Sequence, residues 1–161
     1  MDMEFTGDGD EPPEPIVTVT ADETVDGVDV DWLEHKTTAV LLMLGKDQSQ
    51  LVVRVVNDAV MSKLHQEHSN DSETTDVLTF DNGSTEDSIH ADIAICSDVA
   101  SRSVQDTKHS LSEELLLYIV HGLLHCMGFD DHDESSHQTM HEEEDRILMA
   151  IGIGPVWSSE T

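Results

Sequence analysis

The stretch that most constrains this chain is an apolar run from Leu115 to Met127, interrupted by two histidines and followed by Gly128. The run predicts a buried helix. Because an α-helix turns every 3.6 residues, His121 and His125 lie one above the other on one face of it. Both imidazoles can therefore reach a single ion. Gly128, which tolerates a left-handed backbone conformation, is suited to end the helix.

A third ligand would come from the segment after the glycine, where the chain can fold back toward the histidines. The candidates are Asp130, Asp131 and His132. Two nitrogen ligands, a third ligand and an open fourth position are typical of a catalytic zinc site. Buried imidazoles also need polar partners, and a cation supplies one for both rings. We therefore predict one Zn2+ ion at His121 and His125, which would act in catalysis through a water that the zinc activates.

The rest of the chain alternates between β-prone and helical segments, which predicts an α+β or mixed α/β domain of about four strands with helices on one or both faces. Ser110 and Glu113 have the spacing of a capping box, so they mark the start of the zinc-site helix. The predicted strands are Ile16 to Thr20, Leu51 to Val56, Val77 to Phe80 and Ile89 to Cys96, and the other predicted helices are Trp32 to Leu44, Ala59 to Glu67, Asp98 to Thr107 and Glu134 to Ile151.

Length and composition set the domain organisation. We predict a disordered acidic tail over residues 1–15, followed by a single metal-dependent hydrolase domain over residues 16–161. No run of about twenty apolar residues predicts a membrane span. The acidic N-terminus lacks the pattern of a signal peptide, and Cys96 and Cys126 do not make a disulfide framework. These features predict a cytoplasmic protein.

The net charge of −28, from 7 Lys and Arg against 35 Asp and Glu, opposes binding to a polyanion at long range. High salt screens exposed charges, so an acidic, solvated surface is compatible with a salt-rich cytoplasm. Local charge also matters, and the few cations could line one cleft while acids cover the remaining surface. The cations considered for this cleft are Arg54, Lys63, Arg102 and Lys108.

The motif His-Gly-Leu-Leu-His-Cys-Met-Gly-Phe-Asp at residues 121–130 resembles the YbeY family of bacterial single-strand endoribonucleases. Thr-Asp-Val-Leu-Thr-Phe at 75–80 and Ala-Asp-Ile-Ala-Ile at 91–95 resemble two further segments of that family. The resemblance implies an α+β fold with a small mixed four-stranded sheet and packed helices, in a metalloprotease-like arrangement where a loop follows the zinc-site helix. It also implies a zinc-dependent endoribonuclease that matures the 3′ end of small-subunit ribosomal RNA and acts in ribosome quality control. The implied partners are single-stranded and ribosomal RNA and the small ribosomal subunit, with neither DNA nor a membrane.

Three positions depart from related patterns. In the family the third ligand is usually a histidine ten positions after the first. Asp131 stands there in this chain, so we predict Asp131 as the third ligand, with His132 as the alternative if the loop bulges by one residue. Ser69 stands where the family usually has an arginine. Gly122 stands where zinc peptidases of the metzincin class place a general-base glutamate, which argues against peptidase activity.

Several other polar or aromatic residues have two interpretations. His137 and His141 stand in an acidic segment that includes Glu144, which favours an exposed helix face over a weak second metal site. Asp76 and Asp92 would either cap turns and face solvent or hydrogen-bond a ligand imidazole. Phe129 would either stack on an RNA base or anchor the loop to the core.

Two other functions are compatible with the same residues. One is a zinc hydrolase of another substrate, such as a peptide or a small molecule. The other is a non-enzymatic, ribosome-associated metal-binding protein.

Overall fold

The structure, a computed structural model, describes residues 14–69, 75–130 and 133–156. Its four strands are β1 (Ile16–Ala21), β2 (Gln50–Val56), β3 (Val77–Asp81) and β4 (His90–Cys96). They form one sheet in the order β1-β2-β4-β3, in which β1, β2 and β4 are parallel and β3 is antiparallel to β4. The prediction of a mixed four-stranded sheet is confirmed, and the antiparallel strand lies at one edge.

Five helices lie in the described part of the chain: α1 (Val30–Met43), α2 (Asp58–Ser69), α3 (Ser97–Ser103), α4 (Leu111–Cys126) and α5 (Glu134–Ala150). The helix that carries the two candidate ligands, α4, is central, because it contacts α1, α3, α5, β3 and β4. All its residues from Leu115 to Val120 are buried, as are Gly122, Leu123 and Leu124. The predicted α+β fold class is therefore confirmed, with the apolar helix at its centre.

The main core lies between α4, α1 and one face of the sheet. Val19, Val53 and Ile93 are partners across β1, β2 and β4, and Thr79 of β3 completes the same row. The three aliphatic side chains are 4%, 0% and 1% exposed. Side chains alternate between the two faces of a strand, so this row fixes the face of β3 that is turned toward α4.

A smaller cluster covers part of the opposite face of the sheet, beneath α2 and α3. It comprises Val56, Met61, Leu78, Ala94 and Cys96. The predicted helix from Asp98 to Thr107 is shorter than expected, since α3 ends at Ser103. Both the amide and the hydroxyl of Thr107 donate to the carbonyl of Val104, and this local turn replaces the last predicted helical turn.

The predicted boundaries of α4 are confirmed in atomic detail. The Ser110 hydroxyl accepts from the Glu113 amide at 3.1 Å, and the Ser110 amide donates to the Glu113 carboxylate at 2.8 Å, which is a capping box. At the other end, Gly128 has φ +96°, and the next amide, from Phe129, donates back to the Leu124 carbonyl at 3.0 Å. The glycine therefore lets the chain reverse direction directly after the candidate ligands.

No helix within the described ranges is both long and apolar enough to cross a membrane. The predicted disordered tail falls almost wholly on residues 1–13, outside the described residues. That tail, and a single domain over residues 16–161, stay predictions.

We expect His109→Leu to lower the free energy of unfolding by about 3 kcal/mol, as measured by urea denaturation. His109 donates from Nε2 to Glu114 Oε1 at 2.6 Å, and the two side chains are 6% and 3% exposed. Removing one partner of a buried polar pair leaves the other without its hydrogen bond. The double variant His109→Leu, Glu114→Leu should recover much of the loss; a double variant as unstable as the sum of the single variants would contradict this account.

Candidate metal centre

The two histidines of α4 direct their ring nitrogens at each other. Nε2 of His125 lies 3.1 Å from Nε2 of His121, and the ring centroids are 4.7 Å apart with the rings nearly perpendicular. This pairing follows from their spacing of four residues on one helix. The side chain of His121 is 17% exposed, whereas His125 is exposed to solvent, so the pair opens outward from the core.

The distance between the two nitrogens fits ligation of one ion. A tetrahedral zinc with Zn–N bonds of about 2.0–2.1 Å holds two nitrogens about 3.3 Å apart. The 3.1 Å separation needs only a small adjustment to reach that value. The donor set is also suitable, because imidazole is a common zinc ligand. The residues present therefore fit a zinc ion on this side of α4.

A buried carboxylate on α5 holds the first of these imidazoles. Nδ1 of His121 donates to Oε2 of Glu144 at 2.5 Å, and Nδ1 of His141 donates to Oε1 of the same carboxylate at 2.5 Å. Glu144 is 0% exposed. The interpretation of this segment as an exposed acidic face is therefore wrong for Glu144, although it is correct for His137, which is exposed.

Sequence reasoning missed Glu144, although the sequence holds a signal for it. The buried residues of α5 are Met140, Glu144, Ile147 and Leu148, which recur at the spacing of one helix face. Glu144 thus occupies a core position between apolar neighbours. A carboxylate at such a position needs hydrogen-bond donors in the core, and His121 of α4 and His141 of α5 supply them.

The structure describes only one of the three candidates for a third ligand. Asp131 and His132 are both outside the described residues, so their assignment stays a prediction. Asp130 is described and exposed. Among the described residues, no group of three or more His, Cys, Asp or Glu side chains is placed to hold a metal ion.

A cleft of about 450 Å³ opens beside the two histidines, and it follows β3. Because β3 is an edge strand of the sheet, one side of its backbone pairs with no other strand in the described part of the chain. The lining residues are Thr75, Asp76, Val77, Leu78, Thr79, Asp81, His121, His125 and Cys126.

The lining of the cleft contains no Lys or Arg, although all seven Lys and Arg residues lie in the described part of the chain. Arg54 is instead paired with Asp22 at 2.8 Å, and Arg102 with Asp58 at 2.7 Å. Lys63 and Lys108 are likewise absent from the lining. The expectation that these four cations line the cleft is therefore wrong.

Two side chains that line the cleft have pKa values shifted from their usual range. Backbone hydrogen bonds from Ser84 and Gly83 lower the pKa of the Asp81 carboxyl, so it keeps its negative charge. Burial raises the pKa of the Cys126 thiol, and the charge of Asp81 raises it further. Cys126 therefore stays a thiol at neutral pH, and only the deprotonated form of cysteine is a good metal ligand.

Gly122 packs directly against the sheet. This contact accounts for the absence of a glutamate at the position where zinc peptidases carry their general base. A Cβ at position 122 would lie 2.8 Å from Oγ1 of Thr79 and 2.9 Å from Cδ1 of Ile93. These separations are shorter than van der Waals contact, so any side chain here would force Thr79 and Ile93 to move or α4 to withdraw from the sheet. The Cβ of a side chain at this position would be directed at β3 and β4 of the sheet.

Of the residues with two interpretations, Asp76 lines the cleft, whereas Asp92 is exposed on the sheet face opposite the one that Ile93 turns toward α4. Asp92 is therefore not the carboxylate that holds a ligand imidazole. Phe129 is half-buried and packs against the main core, which supports its interpretation as an anchor for the loop.

A protein-family model described as "Endoribonuclease YbeY" matches residues 20–152, which is most of the chain. This chain belongs to the YbeY family. A YbeY protein named "Endoribonuclease YbeY" from Carboxydothermus hydrogenoformans is 32% identical over 133 residues, covering 80% of this chain and 93% of that protein. Another of the same name from Caldicellulosiruptor bescii is 29% identical over 147 residues, with coverage of 80% and 93%.

A solved structure has a similar fold. The solution structure of TM1509 from Thermotoga maritima matches with a TM-score of 0.59 and 18% identity, covering 84% of this chain and 91% of that chain. At this identity the likeness concerns the fold alone. Membership in the YbeY family, in contrast, supports an endoribonuclease role.

Proposed function

We propose that this chain is a zinc-dependent endoribonuclease that cleaves single-stranded RNA, matures the 3′ end of small-subunit ribosomal RNA and acts in ribosome quality control. The observation that carries the proposal is the pair of Nε2 atoms, 3.1 Å apart, beside a cleft that follows an edge strand. Membership in a family of endoribonucleases supports the substrate class. A cytoplasmic location and the small ribosomal subunit as a partner are part of the same proposal.

The shape of the cleft suits an extended polymer. Its lining includes an unbroken run from Thr75 to Thr79, so a substrate beside the histidines would lie along β3. A single RNA strand can extend in this way, and its bases can bond to backbone groups at a strand edge. The carboxylates of Asp76 and Asp81 disfavour a densely charged duplex in the same place.

His121 and His125 would hold the ion, with a third ligand from Asp131 or His132. When bound, zinc supplies Lewis-acid chemistry and activates water at neutral pH. The chain's own part is to orient the imidazoles, and the bond from His121 to Glu144 does so for the first of them. Position 122 is a glycine packed against the sheet, so it does not carry a general base like that of the zinc peptidases.

The test combines metal analysis with a panel of substrates on the full chain. We expect about one zinc per chain, cleavage of single-stranded RNA and of a ribosomal RNA precursor, and no cleavage of double-stranded RNA, single-stranded DNA or casein. Removal of the metal by a chelator should stop cleavage, and added zinc should restore it. RNA cleavage that persists after the metal is removed would contradict the proposal.

The two other functions give different results in this panel. A zinc hydrolase of peptides would cleave casein and leave RNA intact. A non-enzymatic metal-binding protein would contain zinc and cleave none of the substrates.

We expect added salt to strengthen RNA binding instead of weakening it. Most RNA-binding proteins lose affinity with salt because their cations displace counterions from phosphates. This chain carries a net charge of −28 and has no Lys or Arg in the cleft lining, so the long-range force on RNA is repulsive. Between about 0.1 M and about 1 M salt the Debye length falls from about 10 Å to about 3 Å. The KM for single-stranded RNA should therefore fall several-fold while kcat changes little; a KM that rises with salt would refute this expectation.

A further inference from the structure

One buried carboxylate joins the candidate ligand His121 to a second histidine. Glu144 is 0% exposed, and each of its two oxygens accepts from a different imidazole at 2.5 Å, Oε2 from His121 and Oε1 from His141. The two imidazole rings lie 6.2 Å apart in a stacked orientation, one on α4 and the other on α5. The bridge therefore connects the two helices beside the proposed metal site.

We propose that Glu144 and His141 are positioning residues for metal binding: the carboxylate fixes His121 in the tautomer that keeps a lone pair on Nε2, and His141 holds the carboxylate in place. This inference rests on the proposed function, because it concerns the same site. It assigns to α5 a part in metal binding although neither residue contacts the ion.

The tautomer follows from hydrogen-bond chemistry. A neutral imidazole carries one proton on nitrogen, and an ionised carboxylate only accepts hydrogen bonds. His121 therefore donates from Nδ1 to Glu144, which leaves a lone pair on Nε2. That atom is the one that lies 3.1 Å from Nε2 of His125. Without the carboxylate the proton can move to Nε2, and a ring in that form cannot bind a cation there.

The second histidine is needed because a buried carboxylate oxygen without a donor is unfavourable. Helix α5 places His141 three residues before Glu144, so the two side chains meet on one face of the helix. With Oε1 satisfied by His141, Oε2 stays directed at His121. Loss of His141 would leave Oε1 without this donor, and the carboxylate would turn toward another donor or toward water.

The first measurement uses the metal-free full chain. Long-range 1H–15N correlation spectra of the histidine side chains should show His121 protonated at Nδ1. A His121 protonated at Nε2 in the wild type would overturn the proposal, whatever the protein's activity.

The second measurement compares zinc affinity, by competition with a chelator, among full-length variants. We expect Glu144→Ala to lower the affinity by about 10- to 100-fold and to place the His121 proton partly on Nε2. His141→Phe, which keeps a ring but no donor, should lower the affinity several-fold. The control is Glu142→Ala, because Glu142 is exposed on the same helix and bonds only Gln138 among the contacts described for it.

The outcomes separate this inference from the proposed function. A wild type that binds no zinc would overturn the proposed function and, with it, the metal-binding role of Glu144. Zinc binding by Glu144→Ala within twofold of the wild type would overturn the role of the carboxylate alone. An unchanged affinity and tautomer in His141→Phe would overturn the role of His141, and this variant also serves if Glu144→Ala does not fold.

Discussion

His125→Ala should lower the rate of RNA cleavage on the order of 10³-fold or more. The variant removes one of the two nitrogens that lie 3.1 Å apart and leaves His121 without its neighbouring ligand. A bound metal ion stabilises developing charge on a phosphate by several kcal/mol, and about 4 kcal/mol corresponds to a factor of about 10³ in rate. The measurement is the single-turnover rate on single-stranded RNA, together with the zinc content of the purified variant.

The fold should survive this change. His125 is exposed, and substitutions at exposed sites usually alter stability by about 0.5 kcal/mol or less. His35→Ala is a matched control, since His35 is also an exposed histidine on a helix, α1, and is not among the residues that line the cleft. Full activity in His125→Ala, or an equal loss in His35→Ala, would show that cleavage does not depend on the histidine pair.

The second large effect is expected from Gly122→Glu, which places a glutamate where zinc peptidases carry their general base. We expect a variant that is severely destabilised or insoluble and that has no peptidase activity. Its Cβ would lie under 3 Å from side-chain atoms of Thr79 and Ile93, and its carboxylate would be buried between α4 and the sheet. Overpacking costs about 1–3 kcal/mol and an unpaired buried carboxylate costs several more. Urea denaturation and soluble yield are the measurements.

A smaller substitution tests the same close approach when the glutamate variant cannot be purified. Gly122→Ala gains up to about 1 kcal/mol in helix propensity but meets the same atoms at its Cβ. Thr79→Ala removes Oγ1. The free energy of unfolding of the double variant Gly122→Ala, Thr79→Ala should therefore be higher than the sum of the two single effects predicts. Additive effects would mean that position 122 does not contact Thr79, and a stable Gly122→Glu variant that cleaves casein would refute the packing account.

Much of the fold could be predicted because local signals and burial agreed. The β-branched runs predict β1 and β2, and the capping box of Ser110 and the glycine at position 128 predict the two ends of α4. In each case the structure shows the element where the local signal predicts it. The exception is the end of α3, where residues suited to both helix and turn adopted the turn. Such short segments carry too little hydrophobic pattern to decide between the two.

The site could be predicted only where it follows from local spacing. His121 and His125 lie on one helix, so their geometry follows from the helix itself. The bond between His121 and Glu144 joins residues 23 positions apart, and it depends on how α5 packs against α4. Charge arguments failed for a related reason: composition counts the cations but does not reveal that Arg54 and Arg102 are paired with carboxylates away from the cleft.

The bridge from α4 to α5 also bears on how the protein is made. Both candidate imidazoles leave the ribosome before the carboxylate that orients one of them, because Glu144 follows His121 in the chain by 23 residues. A nascent or truncated chain that stops short of α5 thus has both candidate imidazoles but lacks the carboxylate that accepts from Nδ1 of His121. The proposed metal site would therefore stay incomplete until α5 has been synthesised and has packed against α4.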